Sequence, residues 1–152
     1  MIIAGNIDTN SSFNVHQRAG GPNVYVEAYA TSGMVANTPY MIQHMGSGYS
    51  ATILAASNYA YVGFPEGGAA LASACVGWVQ IRGQVNDAQC GAADMKGSVG
   101  HSVFWGAAAL GASTSANEGL HTVGQIGVLL EEADASTTTD IYLTGVWATP
   151  RS

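Results

Sequence analysis

Val76-Gly77-Trp78-Val79-Gln80-Ile81-Arg82-Gly83 decides how this chain is read. Val79 and Ile81 fall on one side of an extended backbone and Trp78, Gln80 and Arg82 on the other. That is the period-two pattern of a strand with two different faces. Gly77 and Gly83 remove side chains at either end, which leaves room for a neighbouring group to press close. The stretch is therefore expected to be a central or interface strand of a β-rich protein.

Working outward, Val24 to Ala30 alternates small aliphatic residues with Tyr25, Glu27 and Tyr29 and gives a second strand. Residues 40–45, 51–55, 59–63 and 101–105 give shorter ones. Residues 125–130 and 140–147 are expected to close the chain as a hairpin, joined by a connection carrying Glu131, Glu132 and Asp134 that should be solvated. Phe64-Pro65-Glu66-Gly67-Gly68 reads as a loop, because proline and paired glycines interrupt a ladder. Ala69 to Ala74 suggests one helical turn, too short to persist alone. Residues 106–117, rich in Ala, Gly, Ser and Thr, read as a surface loop.

About ten short strands separated by turn signals, with no helix of crossover length, imply an all-β fold. The expected architecture is a compact antiparallel β-sandwich or barrel, with a jelly roll among the possible arrangements. No internal repeat is visible. Residues 1–22 are expected to form an N-terminal arm ending at the Gly20-Gly21-Pro22-Asn23 turn signal, and residues 23–152 a single β-rich domain.

Charged residues make up 9% of the 152-residue chain, against roughly 25% in ordinary domains. Hydrophobic residues make up 47%, so a Gly-rich composition here accompanies a folded chain and not a disordered one. An uncharged, small-residue surface suits contact with other protein over a large area, because interface centres are depleted in Lys, Glu and Asp. The net charge of −6 and the scattering of Arg18, Arg82, Lys96 and Arg151 exclude a basic patch for nucleic acid. The charge-free stretch 28–65 is broken by Asn37, Pro39, Gln43, His44 and Asn58. It falls short of the roughly 20 apolar residues of a membrane-spanning helix, so no membrane partner is expected. The first residues carry no secretory signal pattern.

Catalytic apparatus is hard to find. Gly46-Ser47-Gly48 and Gly97-Ser98-Val99-Gly100 lack the spacing of a nucleophile elbow, and no phosphate-binding or dinucleotide fingerprint occurs. His16, His44, His101, His121, Cys75 and Cys90 are not paired at the spacing of a local metal motif. Cys75 and Cys90 flank the Trp78 strand, where a bridge is conceivable, but two small semi-buried thiols are the expectation. The acidic cluster at 131–134 sits in a connection and not across a cleft. Tyr25, Tyr29, Tyr40, Tyr49, Tyr59, Tyr61, Trp78, Trp105, Tyr142 and Trp147 could offer a carbohydrate platform, but core and subunit packing is the expected use of most. No catalytic, cofactor-binding or metal-binding residue is assigned, no cofactor is expected, and the chain is read as a non-enzyme.

The order of these features is itself informative. An apolar run at 59–63 precedes Gly77-Trp78-Val79-Gln80-Ile81-Arg82-Gly83. An Ala/Gly-rich middle follows, and Gly124-Gln125-Ile126-Gly127-Val128-Leu129-Leu130 and Ile141-Tyr142-Leu143-Thr144-Gly145-Val146-Trp147 close the chain. This layout, over about residues 40–147, resembles small tailed-phage virion proteins of the capsid decoration (cement) or head-fibre kind. The resemblance implies a structural bacteriophage virion protein on the capsid exterior, made in the host cytoplasm before assembly. Its implied partners are the major capsid protein and its own copies, as a homotrimer. The alternatives are a head-fibre or spike adhesin for host glycans and, remotely, a small hydrolase with dispersed residues.

Overall fold

The computed structural model describes residues 17–46, 48–52, 61–89, 96–105, 112–113, 125–134 and 138–145. They form twelve strands: β1 (Gln17–Gly20), β2 (Asn23–Ala30), β3 (Tyr40–His44), β4 (Tyr49–Thr52), β5 (Tyr61–Pro65), β6 (Cys75–Gln89), β7 (Lys96–Gly97), β8 (Ser102–Trp105), β9 (Ala112–Ser113), β10 (Gln125–Leu129), β11 (Ala133–Asp134) and β12 (Thr138–Leu143). A single 3-10 turn at Glu66–Gly68 is the only helical element among the described residues.

Five strands close on themselves. β2 pairs with β4, β4 with β3, β3 with β5, β5 with β6, and β6 returns to β2. A ring of so few strands encloses little space, because barrel diameter grows with strand number. Its lining is correspondingly small: Val26, Ala28 and Ala30 from β2, Ala51 from β4 and Val79 and Ile81 from β6 pack against Tyr40 and Ile42. Gly63 belongs to the same economy of space. A Cβ there would lie 2.5 Å from Val79 Cγ1 and 2.8 Å from Ile42 Cγ1.

β6 is much longer than the stretch first singled out, and it serves two structures. Its first half, through Arg82, belongs to the ring and its second half pairs with β12. β12 then leads to β10, β8 and β9, all antiparallel. This second sheet covers the outside of β3 and β5. Met41, Val62 and Phe64, which face away from the ring interior, form one core with Val85, Val103, Ile126, Leu129, Ile141 and Leu143. The molecule is thus an all-β fold: a five-stranded mixed barrel with further strands laid against part of its outer wall.

Several expectations need correction. The β2–β4 pair is parallel, with Ala28 opposite Tyr49 and Ala30 opposite Ala51. All other strand pairings among the described residues are antiparallel. No crossover helix is needed because β3 itself supplies the return path between the two parallel strands. The closed ring is also not the two-sheet jelly roll. Pro65 is not in a loop but ends β5 opposite Val79, a position where the missing N–H costs no interior ladder bond. The alanine run at 69–74 makes no helical turn; Leu71 instead exchanges backbone hydrogen bonds with Met34, at 2.7 and 2.9 Å.

The segment 106–117, expected as a surface loop, contributes β9 at Ala112–Ser113, paired with β8, while several other readings hold among the described residues. Val79 and Ile81 are buried in the barrel, while Arg82 is exposed. β10 and β12 pair as the closing hairpin, with Leu129 opposite Ile141. Its connection exposes Glu131 and Glu132 but buries Ala133, which pairs with Gly97 across β11 and β7. β1, at the end of the segment expected to be an arm, folds back on β2 of its own chain across a turn at Gly21-Pro22. Residues 1–16, 53–60 and 146–152 lie outside the described residues.

Candidate functional site

Two concave surfaces collect side chains that the fold leaves uncovered. The first lies on the barrel wall away from the second sheet. Register places Val76, Tyr29, Ser50 and Gln43 side by side across β6, β2, β4 and β3. Alternation turns Tyr29 outward between the buried Ala28 and Ala30. With no described layer over this wall, Tyr29 is 43% exposed, Val76 57% and the neighbouring Met45 62%. The result is an open groove of about 770 Å³ in which Glu27 is the one charged lining residue among those described.

The groove ends beside a cluster of rings. His44 stands edge-on to Tyr49, their ring centres 5.3 Å apart and the planes at 82°. Partial burial, and secondarily the nearby Tyr61 hydroxyl, push the Tyr49 phenol above its ordinary value of 10.0.

The second surface is a cleft of about 390 Å³ where β6 leaves the barrel. Asn23, Asn37, Gln80, Gln84 and Asn86 line it, together with Tyr25 and Asp87. Asn23 Oδ1 accepts the Gln84 backbone N–H at 3.1 Å, and its Nδ2 donates to the Tyr25 hydroxyl at 3.3 Å. Gln80 Nε2 donates to the Arg82 and Gln84 carbonyls at 3.2 and 2.7 Å. Gln84 Nε2 donates to Asn86 Oδ1 at 2.8 Å. Gly83, with φ +101°, is what lets the strand pass this point, since a Cβ would collide with Asn23 Oδ1. Across the opening, Asn37 Oδ1 lies over Gly68 so closely that a Cβ there would also collide.

Among the described residues, those weighed for chemistry form no metal-binding group. His44, at the end of β3, and His101, in the turn before β8, are both exposed. Cys75 is an exposed free thiol, which corrects the expectation of a semi-buried one; Cys90, His16 and His121 lie outside the described residues. Among the described residues no group of three or more His, Cys, Asp and Glu is placed to hold a metal ion. Glu131 has a structural task, its Oε1 accepting the Asp140 backbone N–H at 3.0 Å. Ser98 is exposed in the turn before β8, its carbonyl accepting the His101 N–H at 3.0 Å, and Ser47 lies outside the described residues.

The aromatic residues divide by position. Tyr40 is buried, and its hydroxyl accepts the Val35 N–H at 2.7 Å. Tyr25 belongs to the cleft and Tyr29 to the groove, while Trp78 and Tyr142 are half-buried. Trp105 lies in β8, and Tyr59 and Trp147 fall outside the described residues. Tyr49 lines the same groove as Tyr29, with Tyr61 near it.

The amide-lined cleft is absent from the sequence-based expectations, although part of its signal is visible there. Gln80, Gln84 and Asn86 recur on one side of a single strand, a polar series at period two. Asn23, Asn37 and Gly68 join them only through the fold. No family model, no curated protein and no solved structure matches the chain.

Proposed function

We propose that this chain is a structural virion protein that binds the outer surface of an assembled phage capsid and cements adjacent major capsid subunits, acting as a homotrimer and not as an enzyme. The observation that carries this reading is the groove on the barrel wall, where Tyr29, Val76 and Met45 are exposed around a lining whose described residues carry a single charge, Glu27. Such a face loses little on leaving water and gains from apolar burial, which is the composition of an interface centre. The scarcity of charge over the whole chain extends the same argument to its other contacts.

The mechanism is mechanical. A rigid barrel held to several capsid subunits at once must release all its contacts together, so individually modest interactions reinforce one another through effective concentration. Binding only the assembled shell also stabilises that state against dissociation by mass action. The chain is made in the host cytoplasm and resides on the capsid exterior.

Purified protein added to undecorated capsids tests this directly. Attachment seen by imaging, with increased resistance of the shell to heat, is the expected result. Absence of attachment overturns the reading.

A further inference from the structure

We propose that the cleft between β2, the Glu66–Gly68 turn and the bend of β6 binds an uncharged, hydroxyl-rich ring, that is, a neutral sugar unit. The inference goes beyond the capsid reading and does not depend on it. Five lining side chains are amides, Asn23, Asn37, Gln80, Gln84 and Asn86, and each carries both donors and an acceptor. Sugar hydroxyls have the same double character, so ligand and amides can satisfy one another without either carrying charge.

Charge excludes the rival ligands. Among the described residues no Lys or Arg lines the cleft, and Asp87 does, so phosphates, nucleic acids and acidic peptides meet repulsion with no compensating cation from that lining. An apolar ligand would strand the amides without partners, which is costly. A polyol meets neither penalty. Tyr25 adds a ring against which the C–H face of a sugar can rest.

The wall is also held in shape before any ligand arrives. Gln84 donates to Asn86 Oδ1, which fixes both side chains while leaving Gln84 Oε1 as acceptor and Asn86 Nδ2 as donor, neither with a partner among the described residues. Both amide hydrogens of Gln80 serve the backbone, leaving its Oε1 as a further acceptor. Among the described residues, the non-glycine positions with positive φ are Asn37, Ala74 and Asp87, and two of these three line this cleft. Backbone held in sparsely populated regions gathers at ligand sites, where it fixes side-chain direction. The volume of about 390 Å³ lies at the small end of the about 300–1,000 Å³ usual for ligand pockets, which suits one ring of a longer chain.

The test is a titration of the full chain followed by side-chain amide resonances in 1H–15N NMR. The probes are maltotriose, cellotriose, mannotriose and triacetylchitotriose, with trigalacturonate as the acidic comparison. At least one neutral trisaccharide is expected to shift the cleft amides with a Kd on the order of 1 mM, and trigalacturonate to shift none. Asn86→Ala and Gln84→Ala, both at exposed positions, should each raise that Kd about five- to ten-fold, while Val99→Ser in a remote turn leaves it unchanged. Absence of any shift with all four neutral sugars overturns the proposal. So do equal shifts with trigalacturonate, or full affinity in both amide variants. Because no capsid enters the experiment, its failure is separate from failure of the capsid reading.

Discussion

Gly83 shows how much can depend on one missing side chain. Its φ of +101° is a conformation that residues with a Cβ rarely adopt, and the space a Cβ would need is taken by Asn23 Oδ1. Asn23 in turn accepts the Gln84 N–H, so the glycine and the amide form one joint at which β6 leaves the barrel. Gly83→Ala is expected to destabilise the fold by about 2–4 kcal/mol, seen as a lower urea midpoint with an unchanged m-value. Tyr49 gives a second prediction at this scale. Its folded-state pKa is raised above 10.0, so the unfolded chain releases this proton first as pH rises. Its contribution to stability is therefore complete below the unfolded value and declines as pH climbs through about 10 and on through the folded value. In Tyr49→Phe the alkaline loss of stability should be smaller than in the parent, as measured by urea midpoints at about pH 8 and pH 11. An equal loss in both proteins would exclude Tyr49 as a source.

At the scale of elements, β3 and β5 explain why the barrel and the second sheet behave as one body. Both strands are covered on two faces: Ile42 and Gly63 inside the ring, Met41, Val62 and Phe64 beneath the second sheet. Strands sandwiched in this way lose the clean apolar–polar alternation, and β5 is buried at four consecutive positions after Tyr61. Phe64 is 1% exposed and fills the space between the layers. Phe64→Ala should cost about 3–5 kcal/mol, because it removes apolar surface and leaves a cavity that the flanking strands cannot close. One cooperative transition at lower denaturant, by both tryptophan fluorescence and far-UV circular dichroism, is the expected outcome. Two separated transitions would mean that the sheet and the barrel unfold independently.

For the whole molecule, the proposed capsid contact is tested at the groove wall, whose described lining carries the single charge of Glu27. Val76→Glu places a carboxylate in the groove beside Tyr29 and near Glu27, where burial against another protein would be opposed by desolvation. The position is 57% exposed, so the isolated fold should change in stability by less than about 1 kcal/mol. On undecorated capsids the variant is expected to lose at least about tenfold in affinity, measured by co-sedimentation. Retained affinity would remove the groove from the interface. The proposed homotrimer is tested by sedimentation equilibrium of the parent protein, where a mass three times that of the chain is expected and a monomer mass overturns it.

The sequence by itself determined the local terms. Alternation along 24–30 and 76–83 assigned strands and faces, and the pattern at 125–130 and 140–147 anticipated the closing hairpin. Each of these rests on neighbours within one strand or across one connection, where the pleat sends successive side chains to opposite sides. Only the tertiary structure decided which strands meet at long range. The parallel alignment of Ala28 with Tyr49, the return of β6 to β2, and the second sheet over Phe64 have no local signature, because pairing partners distant along the chain leave no period in it. The amide cleft follows the same division. The series Gln80, Gln84 and Asn86 stands in one strand, but the far wall at Asn23, Asn37 and Gly68 comes from three other segments. A cleft needs two walls, and chain closure in space, not residue order, brought the second one into place.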